Sequence, residues 1–181
     1  HVAKALEAAR LVTVPDAQAA RAAAFVITMA EGGALHLDRL RERPDDFDPE
    51  VRDRLIAGAM LPAAWVQRAQ KLRRHFRDRM LPLFENVDAI LAPATPMAAP
   101  KIGQKTAPFG GIDMPIRPNL GIFAQPISFI GLPVVSVPVW LPGKSLPLGV
   151  QIIAAPWRED ICLRIAHQLE EAGAVAAPVA S

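Results

Sequence analysis

The sequence predicts an α/β fold, and three observations support this prediction. Apolar residues recur at helical spacing through the first half of the chain. Shorter apolar runs that end at prolines follow in the second half, which is the pattern of buried strands leading into loops. A last amphipathic stretch, residues 157–173, predicts a closing helix. With 51% apolar and 21% charged residues among 181, the chain is globular and can bury one sizeable core.

The opening residues, 1–10, predict an amphipathic helix, because Val2, Leu6 and Ala9 fall at helical spacing. No initiator methionine precedes this helical pattern. We therefore expect that the chain has been cut from a larger polypeptide.

Two further elements and a hinge are predicted next. Residues 11–15 alternate like a short strand, and Asp16 is expected to cap the alanine-rich helix over residues 17–36. A polar, proline-containing hinge follows. Asp48 and Pro49 make a good N-cap and first helical position, so a new helix is predicted to begin there.

The next helical stretch, residues 62–87, has one apolar face and one basic face. The apolar face holds Trp65, Leu72, Phe76 and Met80. The basic residues fill most of the remainder: Arg68, Lys71, Arg73, Arg74, Arg77 and Arg79. The basic face could bind nucleic acid, or it could be solvated and form ion pairs within the protein. The formal net charge of only +2 and the lack of interleaved exposed aromatic residues favour the second interpretation, so no nucleic-acid partner is expected.

From residue 87 the pattern changes to strands and loops. DAILAPATP (88–96) indicates a buried strand, and the stretch 97–118, rich in proline and glycine, indicates a long functional loop. Residues 119–131 predict a short helix that Asn119 caps and Pro126 bends.

Two strands and a helix complete the predicted fold. VVSVPVW (134–140) and LPLGVQIIAA (146–155) are strands joined by a turn at PGKS. The closing helix is expected to stop at Gly173. Its inward side is predicted to hold Ile161, Ile165 and Leu169.

Metal and cofactor chemistry is not indicated. The four histidines stand far apart, and no His-x-x-x-His pair, Cys-x-x-Cys pair or glycine-rich phosphate loop is present in the sequence. We therefore expect no metal and no cofactor. The one cysteine, Cys162, rules out an internal disulfide and fits a reducing, cytoplasmic location. Since Pro126, Pro133 and Pro138 interrupt the richest apolar stretch, no membrane span is predicted.

Two serines, Ser128 and Ser136, lie in the apolar run QPISFIGLPVVSVPV (125–139). Neither stands in a Gly-x-Ser-x-Gly elbow, and no nearby histidine or lysine in the sequence would activate either hydroxyl. Strand alternation places Ser136 with the neighbours of a buried strand. A nucleophile served by a sequence-distant base is one interpretation, and an ordinary hydroxyl in a scaffold or pocket wall is the other. The missing base favours the second.

Four stretches of the chain resemble the C-terminal part of amidase signature enzymes. They are RLIAGAMLPAAWVQRAQKLRR (54–74), DAILAPATPMAAPKIG (88–103), NLGIFAQPISFIGLPVVSVPVWLPGKSLPLGVQIIA (119–154) and the helix with an ED pair at 159–172. Their order and spacing agree together, so the resemblance covers essentially the whole chain. Two stretches, AEGGALHLDRLRERPDDFDPEVRDRL and RPNLGIFAQPISFIGLP, are similar to the carboxybiuret-hydrolase type of amidase, found in cyanuric-acid and related urea-type degradation.

This resemblance implies one α/β domain around a large mixed β-sheet covered by α-helices, of which residues 1–181 are the C-terminal part. Enzymes of the family cleave amides with a Ser–Ser–Lys triad in a Gly/Ser-rich N-terminal half, and no such stretch occurs here. The catalytic half is therefore expected to lie outside this chain, and the chain alone is expected to be inactive. The implied partners are a small amide substrate, the N-terminal half of the same enzyme, and a second copy or a small accessory subunit.

The resemblance also points to candidate residues of the substrate pocket: Arg117, Asn119, Gln125 and Ser128. In the tRNA-dependent glutamine amidases, an aspartate five residues before the proline that corresponds to Pro126 binds the amino group of the substrate. Gly121 stands at that position here. This departure argues against a free amino acid amide as the substrate.

Three of the polar residues have two interpretations each. Arg117, which Pro118 is expected to hold in extended backbone, could pair with a substrate carboxylate through a two-pronged contact or be a surface arginine. Gln125 is either a pocket contact or a buried amide that ties down loop backbone. Arg54 either contributes to the site or holds a helix against the sheet.

A second class of function stays open on the sequence. The chain could be a non-catalytic subunit or interaction module, such as part of the amidase subunit of a tRNA-dependent amidotransferase. A Gly/Ser-rich segment upstream in the gene would favour the enzyme.

Overall fold

The α/β class is confirmed by the computed structural model, which describes residues 1–7 and 10–178. The chain forms two compact units. The helical unit is residues 15–79, and the sheet unit combines residues 1–14 with the chain from Met80 onward.

The described residues contain eight α-helices and five β-strands. The helices are α1 (Val2–Ala5), α2 (Ala17–Leu35), α3 (Leu37–Glu42), α4 (Pro49–Ala59), α5 (Ala63–Met80), α6 (Ile116–Asn119), α7 (Gln125–Phe129) and α8 (Glu159–Glu171). The strands are β1 (Ala89–Pro93), β2 (Thr106–Phe109), β3 (Ile112–Pro115), β4 (Val134–Val139) and β5 (Leu148–Ala154). Helix α1 is shorter than the predicted one; Val2 is buried in it, and Ala9 lies outside the described residues.

In the helical unit, α2 and α4 cross at glycines. A side-chain carbon on Gly58 would fall on the carbonyl oxygen of Met29, and one on Gly33 would fall on the backbone nitrogen of Ala59. Both positions therefore require a residue without a side chain, because backbone on the opposite helix cannot yield as a flexible side chain would.

Arg54 links the same two helices. Its guanidinium carbon lies 5.3 Å from the centre of the Phe25 ring, within the range of a cation–π interaction. Arg21 approaches the same ring at 5.4 Å. Arg54 thus connects α4 to α2, and neither of its two interpretations, a residue of the site or a link between a helix and the sheet, is tested by this contact.

Two of the three predicted N-caps, Asp48 and Asp16, precede helices of the helical unit and have different outcomes. Asp48 Oδ1 accepts a 2.9 Å hydrogen bond from the backbone nitrogen of Glu50, and Pro49 occupies the first turn of α4, as predicted. Asp16 stands at the N-cap position of α2 with a φ of 52°, as predicted, but its side chain makes no capping hydrogen bond, so the predicted cap is wrong. Its carboxylate instead accepts a 2.6 Å hydrogen bond from Arg79, because a charged donor competes with the helix amides for it.

The apolar face predicted for residues 62–87 is buried mainly toward its C-terminal end. Phe76 and Met80 have no exposed surface, whereas Trp65 is 55% exposed. The regular helix ends at Met80, and a 3-10 turn with Pro82 in its first positions follows.

The sheet unit is built on three antiparallel strands in the order β1-β5-β4. Ala92, Gln151 and Ser136 lie side by side across the three strands. Because side chains alternate along each strand, the sheet has two distinct faces. The pairings in the described residues are antiparallel, so the parallel part of the mixed sheet stays a prediction.

One face of this sheet, which we call the helix face, packs against α8 and forms a core of the sheet unit. Burial raises the pKa of the Cys162 thiol there, so the thiol stays protonated and apolar at neutral pH. Helix α8 is followed by Gly173 at a φ of 62°, the stop that the sequence predicts. The buried residues of this face are Val137, Val139, Ile152, Ala154, Ile161, Cys162 and Leu169.

Two predictions for the irregular segments are wrong. Residues 11–15 form no strand and Leu11 is fully exposed, because a strand pattern needs a pairing partner to become a strand. Residues 97–118, predicted as a loop, contain the β2–β3 hairpin. Gly110 and Gly111 sit at its turn with φ values of 59° and 84°, as a tight two-residue hairpin loop requires.

Candidate substrate-binding site

The four predicted pocket residues lie on one stretch, residues 116–129, which we call the site segment. It consists of the single-turn helix α6, a turn, and the short helix α7. Pro126 stands in the first turn of α7, where its missing N–H costs no helical hydrogen bond. Ile116, Ile127 and Phe129 are buried, so these apolar side chains anchor the segment.

Gln151, which the sequence pattern did not single out, ties the site segment to the sheet. Its side chain is 2% exposed, and Nε2 donates hydrogen bonds to the carbonyl oxygens of Pro93 at 2.8 Å and Phe123 at 3.0 Å. These bonds use both hydrogens of the amide nitrogen. One buried side chain on β5 therefore holds both the end of β1 and the turn of the site segment. The available signal was a single glutamine inside the apolar strand LGVQIIA.

Gln151 lies on the sheet face opposite the helix face, here called the site face. Ser136, its cross-strand neighbour, shares this face and is exposed, so its expected placement among buried residues is wrong. Val134 on the same face is 40% exposed. The physical reason is position, because β4 lies at the edge of the three-stranded sheet.

Asn119 is 5% exposed, and its Nδ2 donates a 2.9 Å hydrogen bond to the carbonyl oxygen of Pro115. It closes α6 and does not cap a helix that starts after it, so the predicted N-cap role is wrong. The bond shapes the turn locally. Contact of Asn119 with a substrate stays a prediction.

Arg117 lies inside α6 and is exposed. The extended backbone expected from Pro118 is wrong, because this proline falls within the first turn of a helix, where proline is tolerated. The guanidinium is protonated at ordinary pH and can present paired donors to an anionic or carbonyl-rich group. Both interpretations, a surface arginine and a carboxylate ligand, are compatible with this position.

Gln125 and Ser128 are in direct contact. Ser128 Oγ donates a 3.3 Å hydrogen bond to the carbonyl oxygen of Gln125, a local bond common for serines in helices. Ser128 is exposed and Gln125 is half-buried. The Gln125 side chain lies beside Gly121, and its backbone nitrogen donates to the Gly121 carbonyl oxygen at 2.8 Å.

The four residues are equipped for binding and not for proton transfer. A guanidinium does not give up its proton near neutral pH, and carboxamides donate and accept hydrogen bonds without titrating. The Ser128 hydroxyl needs a base to become a nucleophile, and its observed partner is a backbone carbonyl. The segment can therefore orient a carbonyl-rich or anionic group.

A cavity of about 560 Å³ lies elsewhere in the sheet unit, and none of the four predicted pocket residues lines it. Its walls include Leu6 near α1, Leu91 of β1 and Ile165 of α8. Within residues 1–7 and 10–178, no group of three or more His, Cys, Asp or Glu side chains could hold a metal ion. No helix in that part of the chain is long and apolar enough to cross a membrane.

The chain is similar in sequence to a subunit of a 1-carboxybiuret hydrolase and to the A subunits of glutamyl-tRNA(Gln) amidotransferases. A sequence model of the amidase family matches residues 2–163. AtzE, the 1-carboxybiuret hydrolase subunit of Pseudomonas sp. (strain ADP), is 51% identical over 170 residues, covering 93% of this chain and 37% of that protein. The A subunit of the glutamyl-tRNA(Gln) amidotransferase of Geobacter metallireducens is 38% identical over 151 residues, covering 80% of this chain and 30% of that protein.

Solved structures give the same relationship. One, from an inhibitor-bound vestigial protein complex that reveals the evolutionary origins of an s-triazine catabolic enzyme, has a TM-score of 0.94 and 47% identity. It matches 98% of this chain with 39% of its own. The A subunit of the glutamyl-tRNA(Gln) amidotransferase of Thermotoga maritima has a TM-score of 0.64 and 31% identity, covering 94% of this chain and 37% of its own. This chain spans less than two fifths of the length of each of these relatives.

Proposed function

This chain belongs to the amidase signature family, and on that premise we propose that it is the C-terminal part of one amidase domain whose catalytic half lies outside residues 1–181. In this proposal the intact enzyme hydrolyses a carbon–nitrogen bond of a small amide with a Ser–Ser–Lys triad. The present chain completes the fold and supplies walls of the substrate pocket, and by itself it is inactive.

The observation that carries this proposal is the make-up of the site segment. It offers a guanidinium, two carboxamides and a hydroxyl, and none of these groups takes up a proton near neutral pH. Amide hydrolysis needs an activated nucleophile and a proton shuttle. A segment that binds without supplying either is what a pocket wall facing a distant triad requires.

The proposed substrate is a small amide of the carboxybiuret or urea type. Support comes from the 51% identity with AtzE, a 1-carboxybiuret hydrolase component, and from two positions of the site segment. Arg117 offers charge-assisted donors suited to a carboxylate. Gly121 provides no negative charge that would hold an ammonium group.

The proposed partners are the N-terminal half of the same enzyme and either a second copy or a small accessory subunit. The Pseudomonas relative is itself one subunit of a hydrolase, and the structure with a TM-score of 0.94 comes from a protein complex. Among the described residues, β4 is an edge strand whose Val134 and Ser136 side chains are exposed, and such edges are normally covered or paired in intact proteins. We place the N-terminal half against this edge, in a cytoplasmic enzyme consistent with the buried free thiol of Cys162.

A second candidate is a non-catalytic interaction module, such as part of the amidase component of an amidotransferase. The 38% identity with the glutamyl-tRNA(Gln) amidotransferase of Geobacter metallireducens favours it. Gly121 argues against an amino acid amide as the substrate, because no carboxylate stands at that position to bind an amino group.

The test is a substrate panel assayed with the full-length enzyme that the whole gene encodes, which we call the gene-length enzyme. The panel contains an anionic urea-type amide, a neutral amide of similar size and an amino acid amide. We expect kcat/KM on the anionic amide to exceed the others by about 10-fold or more, as one charge-assisted contact permits. A preference for the amino acid amide would contradict the substrate assignment. If none of the three amides is hydrolysed, the result would contradict the proposed amidase activity and favour the interaction module.

A further inference from the structure

Gly121 stands in the turn between α6 and α7, and its backbone does not require a glycine. Among the described residues, glycines with positive φ occur elsewhere, and Gly121 is not one of them. Glycine is unfavourable in helical turns because it loses more backbone freedom on folding than alanine does. A reason for glycine at this position must therefore come from its surroundings.

The space beside Gly121 is filled by the side chain of Gln125. A Cβ on Gly121 would lie 2.9 Å from Cγ, 3.1 Å from Cδ and 3.4 Å from Nε2 of Gln125. The two residues are one helical turn apart, joined by the 2.8 Å hydrogen bond from the Gln125 nitrogen to the Gly121 carbonyl oxygen. The glycine lets the carboxamide fold back over the main chain.

The backbone on either side of this contact is held in place. Asn119 donates to the carbonyl oxygen of Pro115, and Gln151 donates to the carbonyl oxygen of Phe123. The clash that a methyl group at position 121 would cause is therefore relieved by rotation of the flexible Gln125 side chain, and not by movement of the turn.

We propose that Gly121 and Gln125 are a coupled, specificity-determining pair: the missing side chain at 121 positions the Gln125 carboxamide as a neutral wall of the substrate pocket. This inference rests on the proposed function. The carboxamide can donate to a carbonyl or carboxylate oxygen and accept from an N–H of a urea-type substrate. It carries no charge that would hold an ammonium group. Any side chain at 121 displaces it.

The test is a double-mutant cycle in the gene-length enzyme with Gly121→Ala, Gln125→Ala and the double variant, assayed on the anionic urea-type amide. Each single substitution is expected to lower kcat/KM by about 3- to 10-fold, mainly through KM, which is the effect of losing one neutral hydrogen bond. In the Gln125→Ala background, Gly121→Ala is expected to change kcat/KM by less than about 2-fold, because the displaced group is already absent.

Gln125→Glu is the matched variant, because it keeps the shape of the side chain and adds a negative charge. It is expected to lose activity on the anionic amide and to retain or gain activity on an amide that bears an ammonium group. An equal loss on both substrates would show that Gln125 is only a structural amide, and would overturn the proposal.

Other outcomes separate this inference from the proposed function. Suppose that the parent enzyme is active and that the fold-loss in kcat/KM of the double variant equals the product of the two single losses. This result overturns the proposed coupling of Gly121 and Gln125 and leaves the proposed function standing. A Gly121→Ala enzyme whose unfolding midpoint falls by more than about 5 °C, with no recovery in the double variant, also overturns it, because the methyl group then meets backbone. A parent enzyme that hydrolyses none of the amides refutes the proposed function, and this inference with it.

Discussion

The two faces of the β1-β5-β4 sheet are closed in different ways. On the helix face, helix α8 of the same chain covers the strands, and Ile152 and Leu169 have no exposed surface. On the site face, Val134 and Ser136 are exposed at the edge strand. Gln151 holds the site segment on this face with two side-chain hydrogen bonds.

This difference separates stability from recognition within one sheet. The helix face is a completed apolar core, so substitutions there are expected to change the free energy of unfolding. On the site face, the exposed residues of the site segment are not part of a buried core, so substitutions of these residues are expected to change activity more than stability. Substitutions on either face therefore test this contrast.

The largest expected effect is on the helix face. Leu169→Ala should lower the free energy of unfolding of the gene-length enzyme by about 2–5 kcal/mol, because it leaves a cavity in a buried core. Denaturant unfolding measures the change. Leu163→Ala is the matched control on the same helix, since Leu163 is 62% exposed, and it should stay within about 0.5 kcal/mol of the parent. Equal losses in the two variants would contradict the closed helix face.

Arg117→Ala tests recognition by the site segment. Losing a charge-assisted contact of about 1.5–3 kcal/mol should lower kcat/KM on an anionic urea-type amide by roughly 10- to 150-fold. A neutral amide of similar size should be affected much less. Lys105→Ala removes another exposed cation and should leave both substrates unchanged. If Arg117→Ala matches the parent on both amides, Arg117 is a surface residue and the substrate class loses its main support.

Gln151→Leu tests the link between the sheet and the site segment. The carbonyl oxygens of Pro93 and Phe123 would lose their side-chain donor, and the free energy of unfolding should fall by about 1–2 kcal/mol. KM should rise as well, because the turn between the two helices that carry the predicted pocket residues is no longer held. Gln67→Leu, the same change at an exposed glutamine of α5, should leave both quantities near those of the parent. A Gln151→Leu enzyme with normal stability and normal KM would show that this amide does not hold the segment.

Sequence reasoning predicted the fold well where a residue's own chemistry decides the local structure. Short apolar runs joined by a turn at PGKS placed β4 and β5, and the Asp48–Pro49 pair placed the start of α4. Gly173 ends α8 through a positive φ that glycine adopts without strain. The β2–β3 hairpin could have been found in the same way, because Gly110 and Gly111 are the residues that a tight turn needs.

Sequence reasoning failed where a distant contact decides. Asp16 would cap α2 if the helix were isolated, but Arg79, 63 residues away, takes its carboxylate. Residues 11–15 have the composition of a strand and no pairing partner in the described part of the chain.

The site shows the same limit. The resemblance named Arg117, Asn119, Gln125 and Ser128, and the structure places all four on one short segment without testing their role. Gln151 was missed because its two acceptors are 58 and 28 residues away in the chain. No local pattern reports such a connection.

The most direct test of the central claim is chemical location of the nucleophile in the gene-length enzyme. A fluorophosphonate labels a serine that has been activated by a base, and mass spectrometry of the digested protein identifies the labelled peptide. We predict that labelling abolishes amide hydrolysis and that no adduct lies within residues 1–181. An adduct on Ser128 or Ser136, lost together with the activity in the Ser128→Ala or Ser136→Ala variant, would contradict the account.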